Sequence, residues 1–157
     1  MAGRWSVSPW LLGLGALILG GGAVSIYKSY KEKGIRNNNP GNIEYNPNIK
    51  WQGQIGLDGV YLIFDTPQNG IRALAKDLHN KMARGLKTIA TIIPVYAPPS
   101  ENNTAAYIAD VSKDLGVGPA ITLNDSHLPA FVKAIIKHEN GIQPYPDDLI
   151  AQGIALI

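Results

Sequence analysis

The chain has 157 residues, a formal net charge of +2 and no cysteine. That length suffices for one domain with a real core plus an appendage. The lack of cysteine excludes disulfides, thiolate metal sites and cysteine nucleophiles, and leaves the redox compartment open. Charge is unevenly placed: residues 1–33 hold four basic residues against one acid, and the remainder holds ten basic against eleven acidic. A slightly acidic main body argues against nucleic acid as its partner.

From Trp10 to Tyr27, WLLGLGALILGGGAVSIY runs for 18 residues without a charge, the short end of what spans a bilayer. Trp10 and Tyr27 stand at its ends, where amphipathic aromatics favour a membrane interface. Ala16 and Gly20 form a small-xxx-small pair. A signal peptide cleaved near Ala23-Val24-Ser25 is one reading; a retained anchor, followed by the basic run KSYKEK, is the other. The anchor is the expectation taken forward. Residues 1–33 then form an N-terminal transmembrane helix and linker, placing the protein as single-pass in a virion membrane or the host envelope. Positive charge behind the span favours a cytoplasmic C-terminus.

Residues 34–157 read as the functional domain. GIRNNNPGNIEYN is dense in Asn, Pro and Gly, which is turn chemistry. Strands are expected at Asn42–Tyr45, Trp51–Ile55 and Val60–Phe64, with Asp58-Gly59 turning the last two into a hairpin. Trp51 is either a platform for stacking on a sugar ring or a cover for the small sheet. Asp65-Thr66-Pro67 opens a helix whose inward stripe is Ile71, Leu74, Ala75, Leu78 and Met82. Lys76, Lys81, Arg84 and Lys87 read as its solvated face. A shorter helix starts at Thr88 and stops around Pro94. VYAPPSENN is a stiff loop, Asn103 caps TAAYIADVSKDLG, and Gly116 ends it. YPDDLIAQGIALI closes the chain as a helix.

The stretch SHLPAFVKAIIKHENGIQPY carries the chemistry. Leu128, Phe131, Val132, Ile135 and Ile136 recur at steps of three and four, the apolar face of an amphipathic helix. Ser126 can cap its start and Gly141 can close it. Glu139 continues the stripe at the helix C-terminus, where partial burial and the negative end of the helix dipole both disfavour the anion. A carboxylic acid kept protonated near neutral pH suits glycosidic-bond cleavage; an exposed helix-end Glu is the plainer reading. Glu101 stands in the Pro-stiffened loop as a second carboxylate, a substrate contact or a capping acid, and Glu44 reads as an exposed strand residue. His138 beside Glu139 invites a metal, but HExxH spacing is absent and His79 and His127 are distant in sequence. Neither a metal nor another cofactor is expected.

AIIKHENGIQPY resembles the catalytic signature of the goose-lysozyme-like lytic transglycosylases, an apolar helix ending in Glu and a small residue. FDTPQNGIRALAKDL, around Asn69 and Gly70, is similar to their Asn-bearing helix start. VYAPPSENNTAAYI, around Tyr96, Pro98, Pro99 and Tyr107, resembles their Tyr-Asn-Ala-Gly-Pro loop and the helix after it. In that family the Glu helix comes first, whereas here it comes last, as in a circular permutation. GIRNNNPGNI, W-x-G, FDTPxxGIRA, APPSEN and HENG together also resemble lysozyme-like wall hydrolases of phage virions. The resemblance covers about residues 34–157.

It implies a mainly α domain with a small antiparallel β subdomain (α+β, lysozyme-like, circularly permuted) behind the transmembrane helix. It implies a lytic transglycosylase acting on peptidoglycan glycan strands, with Glu139 as acid and then base, and Glu101 beside it. Substrate contacts are expected from Asn39, Asn42, Trp51, Tyr96 and Tyr107; for Tyr107 core packing is the alternative. Partners would be the glycan strands, the membrane and other virion membrane or capsid proteins. A non-enzymatic wall-binding virion protein and a peptidoglycan endopeptidase on the same fold are the alternatives.

Overall fold

The structure is a computed structural model, and it describes residues 33–157. A short helical turn, α1 (Lys33–Arg36), leads into the Asn-rich turn. Strands β1 (Gln54–Asp58) and β2 (Tyr61–Phe64) follow, then helices α2 (Pro67–Ala83), α3 (Ile89–Tyr96) and α4 (Thr104–Leu115). A 3₁₀ turn at Asp125–His127 precedes α5 (Leu128–Asn140), and α6 (Asp147–Ile154) closes the fold.

Helix α5 has the stripe expected of it: Leu128, Phe131, Val132, Ile135 and Ile136 are all buried. Each such side chain contributes roughly 1.5–3 kcal/mol relative to exposure, which is what holds the helix in the middle of the body. It packs on α4, α2 and α6, and α2 packs in turn on α6 and β2. Leu74 and Leu78 of α2, Ile92 and Ile93 of α3 and Phe64 of β2 complete one shared core. Gly141, at φ 76°, ends α5 in the left-handed conformation, as Gly116 does for α4 at φ 70°.

Several boundaries differ from the expectation for local reasons. The cap before α5 is Asn124, whose side chain accepts from the Ser126 amide at 3.1 Å, so the 3₁₀ turn intervenes before the helix begins. Helix α3 runs past Pro94 to Tyr96; the donor that proline lacks falls in the last turn, where little helix remains to lose. In the hairpin Asp58 pairs with Tyr61, so Gly59 (φ 67°) and Val60 form the turn and β1 extends to Asp58. Residues 42–45 contribute only an isolated bridge, Glu44 to Tyr61.

The fold class needs a correction. Among the described residues no helix is long and apolar enough to cross a membrane. The longest, α2, has 17 residues and carries Arg72, Lys76, Asp77 and Lys81, against the roughly 20 predominantly apolar residues a span requires. The described residues form a mixed α+β fold of helices and one two-stranded sheet, with no transmembrane helix among them, and the single-pass membrane localisation is withdrawn. Residues 10–27, on which that expectation fell, lie outside the described residues.

The Asn-rich turn is sewn to the hairpin by amides. Phe64 N–H donates to Asn37 O (2.9 Å), Leu62 N–H to Ile43 O (3.0 Å), and Asn38 Nδ2 to Phe64 O (3.0 Å). Asn38 reaches this position at φ 50°, a left-handed conformation that Asn tolerates. Beneath it, helix α2 approaches so closely that a Cβ on Gly70 would fall inside the Asn38 carbonyl oxygen. Backbone rather than a flexible side chain blocks that space. Gly70→Ala should therefore lower stability in thermal denaturation by roughly 2–3 kcal/mol or more. Gly56→Ala, whose new methyl would meet Ile63 Cδ1 at an ordinary 3.7 Å, should change it by no more than about 0.5 kcal/mol.

Candidate active site

Helical period carries Glu139 onto the buried face of α5, one turn beyond Ile135 and Ile136, and it is only 4% exposed. A buried carboxylate needs hydrogen-bond partners. Tyr107 OH donates to Glu139 Oε1 at 2.7 Å and Asn42 Nδ2 donates to Oε2 at 2.8 Å. These partners lie 32 and 97 residues away in sequence.

Each partner is itself fixed. Tyr107 sits in the first turn of α4, which Asn103 caps and Thr104 ties to the preceding loop through Oγ1 to Ala97 O (2.8 Å). Its ring stacks on His138 at 3.6 Å between centroids and meets the edge of Tyr96 at 6.4 Å. His138 Nδ1 lies 3.0 Å from Asp110 Oδ2. Asn42, at φ 49°, is presented by a turn that the Tyr96 hydroxyl holds through Gly41 O. Asn140, next to the acid, donates to Pro40 O at 2.8 Å in the same turn. The acid and one of its donors are thus positioned by adjacent residues of one helix.

Burial, and then the Glu139 carboxylate, push the Tyr107 phenol well above its ordinary value, and the same causes act on Tyr96. Both remain neutral donors. For Glu139 the forces oppose one another: burial favours the neutral acid, while two donors favour the carboxylate. The sequence reading had burial and the helix dipole, and not the two donors.

Glu139 and Asn42 line a cleft of about 430 Å³ together with Trp51, Tyr96, Glu44 and Glu101. Tyr107, 1% exposed, stands behind the wall rather than on it. Oε1 is therefore held from the core side, and Oε2 is the oxygen beside a cleft-lining residue. Of the expected site residues, Glu139, Glu101, Asn42, Trp51 and Tyr96 converge on the cleft, and Tyr107 reaches it through Glu139. Asn39 does not. It is fully buried, its Nδ2 donates to Ile43 O and Leu62 O (both 2.9 Å), and its Oδ1 accepts from Ile43 N–H. Asn39 builds the turn that presents Asn42. Trp51 packs half-buried against the core and also lines the cleft.

Two cleft groups escaped the sequence reading. Lys81, assigned there to the solvated face, is 7% exposed; its Nζ lies 2.5 and 2.6 Å from the Asp77 oxygens and 5.5 Å from the centre of the Tyr96 ring. The available signal was the Asp77–Lys81 spacing of four, beside the buried Met82. Glu44, read as an exposed strand residue, is exposed but sits on the cleft wall. Partial loss of its water, and then the nearby Glu101, raise its carboxyl above the usual range.

No family model matches the chain. Over 126 residues it is 40% identical to a protein of Pseudoalteromonas phage PM2 named Protein P5, a match spanning 77% of this chain and 79% of that protein.

The Asn-rich turn is anchored by Asp58 at the hairpin tip, which accepts from Asn37 Nδ2 (3.0 Å) and Arg36 (2.9 Å) and pairs with Lys33 at 3.1 Å. The Asn37 bond, followed by the Lys33 ammonium, holds its carboxyl down at about 2, against 3.8 for a free Asp. A depressed folded-state value means stabilisation that is present above 3.8 and lost as pH falls toward 2. Asp58→Asn should therefore lower stability at neutral pH by up to about 1 kcal/mol, since the group is near the surface. In denaturant titrations at stepped pH, that deficit should shrink between about pH 4 and pH 2.

Proposed function

The chain belongs to the family of Protein P5 of Pseudoalteromonas phage PM2, and we propose that its cleft cleaves the glycan strand of peptidoglycan as a lytic transglycosylase. The observation that carries this reading is the single buried acid on a cleft wall, held at one oxygen from the core and accessible beside the other. The phage origin of the relative supports it, since opening a bacterial wall locally is a task that a phage faces. The resemblance of HENG and its neighbouring motifs to a permuted lysozyme-like domain points the same way.

Protonated on Oε2, Glu139 gives its proton to the glycosidic oxygen as the bond to the muramic acid C1 breaks. Tyr107 keeps its bond to Oε1 throughout and stabilises the carboxylate that results. The carboxylate then takes the proton of the C6 hydroxyl, whose oxygen closes on C1 to give a 1,6-anhydro ring. Glu139 ends protonated, as it began, and no water is consumed. One carboxylate suffices for both halves. Asn42 orients Oε2 before the substrate arrives, and Trp51 offers an aromatic face on the same wall.

A two-carboxylate hydrolase is the second reading, favoured by Glu101 and the raised carboxyl of Glu44 on the same cleft. Product chemistry separates the two. Mass spectrometry of digested purified wall should show 1,6-anhydromuramic ends; reducing ends would indicate hydrolysis, and freed peptides an endopeptidase. Binding to wall without any product would indicate a non-enzymatic virion protein. Glu139→Gln keeps the shape and the Asn42 bond, with the Tyr107 hydroxyl turning to accept from the amide, but gives up no proton, so cleavage should fall on the order of a hundredfold or more in a protein that still folds. Glu101→Gln should cost less. Near-normal turnover in a folded Glu139→Gln protein would sink the assignment.

A further inference from the structure

A second groove, of about 540 Å³, runs beside the cleft and shares Ile49, Trp51 and Asp77 with it. Its other walls are cationic: Lys50, Arg72, Lys76 and Arg84. Arg72 and Lys76 stand four residues apart on α2, and Arg84, the cap at its C-terminal end, follows eight residues later on the same side. Asp77, the acid on this groove, already has both oxygens on Lys81. Lys50 and Lys76 have no carboxylate partner among the described residues. Arg72 Nε donates to Leu156 O at 2.9 Å and Arg84 Nε to Asn80 O at 3.3 Å, both backbone carbonyls. Four cations therefore line a groove in a domain whose other residues are acidic on balance.

We propose that this groove binds the carboxylates of the stem peptide carried by a peptidoglycan strand seated in the cleft. The inference rests on the glycan-cleaving reading for its substrate and adds a second recognition element to it. Charge complementarity identifies the ligand as anionic, and continuity through Trp51 identifies it as attached to whatever fills the cleft. Length agrees. From Arg72 to Arg84 the helix rises about 18 Å, and an extended peptide of four or five residues spans about 15 Å. Arginine forks meet carboxylates in pairs of parallel hydrogen bonds, while Lys50 and Lys76 add point charges. Each exposed contact is weak alone, so recognition depends on several along one face. Trp51 lines both grooves and so stands at their junction.

The test compares glycan strands that keep their stems with strands stripped by an amidase. It uses wild-type protein, Lys76→Glu/Arg84→Glu, and the neutral Lys76→Gln/Arg84→Gln in case charge reversal perturbs folding. On stem-bearing strands both variants should raise KM, by about tenfold for the reversed pair, with kcat unchanged. On stripped strands the same proteins should stay within about twofold of wild type. Calorimetry with the free stem peptide should show binding that is lost in the variants and on amidation of the peptide's carboxylates. Equal loss on both kinds of strand, or no peptide binding to the wild type, would overturn the proposal. Carboxylate-dependent peptide binding by a wild type that cleaves neither strand would remove the catalytic reading and leave the groove assignment standing.

Discussion

Glu139 is a carboxylate drawn out of water by the apolar stripe it terminates. Five core side chains on α5 drive that burial, and only hydrogen bonds to both oxygens make it tolerable, since an unpaired buried carboxylate is strongly destabilising. Asn42 and Tyr107 satisfy them from opposite sides. Neither is near in sequence, so the Asn-rich turn, the loop before α4 and the end of α5 have to meet for this one group to be stable. The cleft is the gap left where they meet.

Much of the surrounding polar structure secures that meeting. Asn37 binds the hairpin tip, Asn38 and Asn39 bind β2, and Asn140 binds the turn from the helix that carries the acid. Each amide places a neighbouring residue rather than touching the cleft. Asn suits this task because its side chain both donates and accepts, and because it tolerates the left-handed backbone that residues 38 and 42 adopt. Gly70 has the complementary role. Its missing Cβ lets α2 lie directly beneath the turn, which fixes the depth at which Asn42 emerges.

What was legible in the sequence was whatever one element decides alone. The α5 stripe, the Gly141 and Gly116 stops and the Asn103 cap follow from period and capping chemistry within a few residues. Hairpin register was not legible to the residue, because it depends on which pair flanks the turn, and Asp58 with Tyr61 moved β1 three residues from its expected start. Asn42 as a donor to Glu139 was invisible for a stronger reason: the bond spans 97 residues and no local pattern encodes it. Lys81 misled because a lysine on a charged helix is ordinarily solvated; the tyrosine from α3 that covers it comes from another element. The run at residues 10–27 was read from its uncharged length, its flanking aromatics and the basic run behind it, none of which bears on the fold that the described residues form.

The acids of the cleft also explain why one of them stands apart. Glu44 holds its proton more tightly because it has lost part of its water and, second, because Glu101 is nearby. Asp77 is paired with Lys81. Glu139 differs from all three in being held by two neutral donors, Tyr107 from the core and Asn42 from the cleft wall. A carboxyl held at both oxygens suits a group serving first as acid and then as base. Lys50, Arg72, Lys76 and Arg84 lie across the Trp51 and Asp77 ridge from Glu44 and Glu101, while Lys81, on the cleft side, is paired with Asp77. One ridge, Trp51 with Asp77, thus separates the acidic wall of the cleft from the basic face beside it.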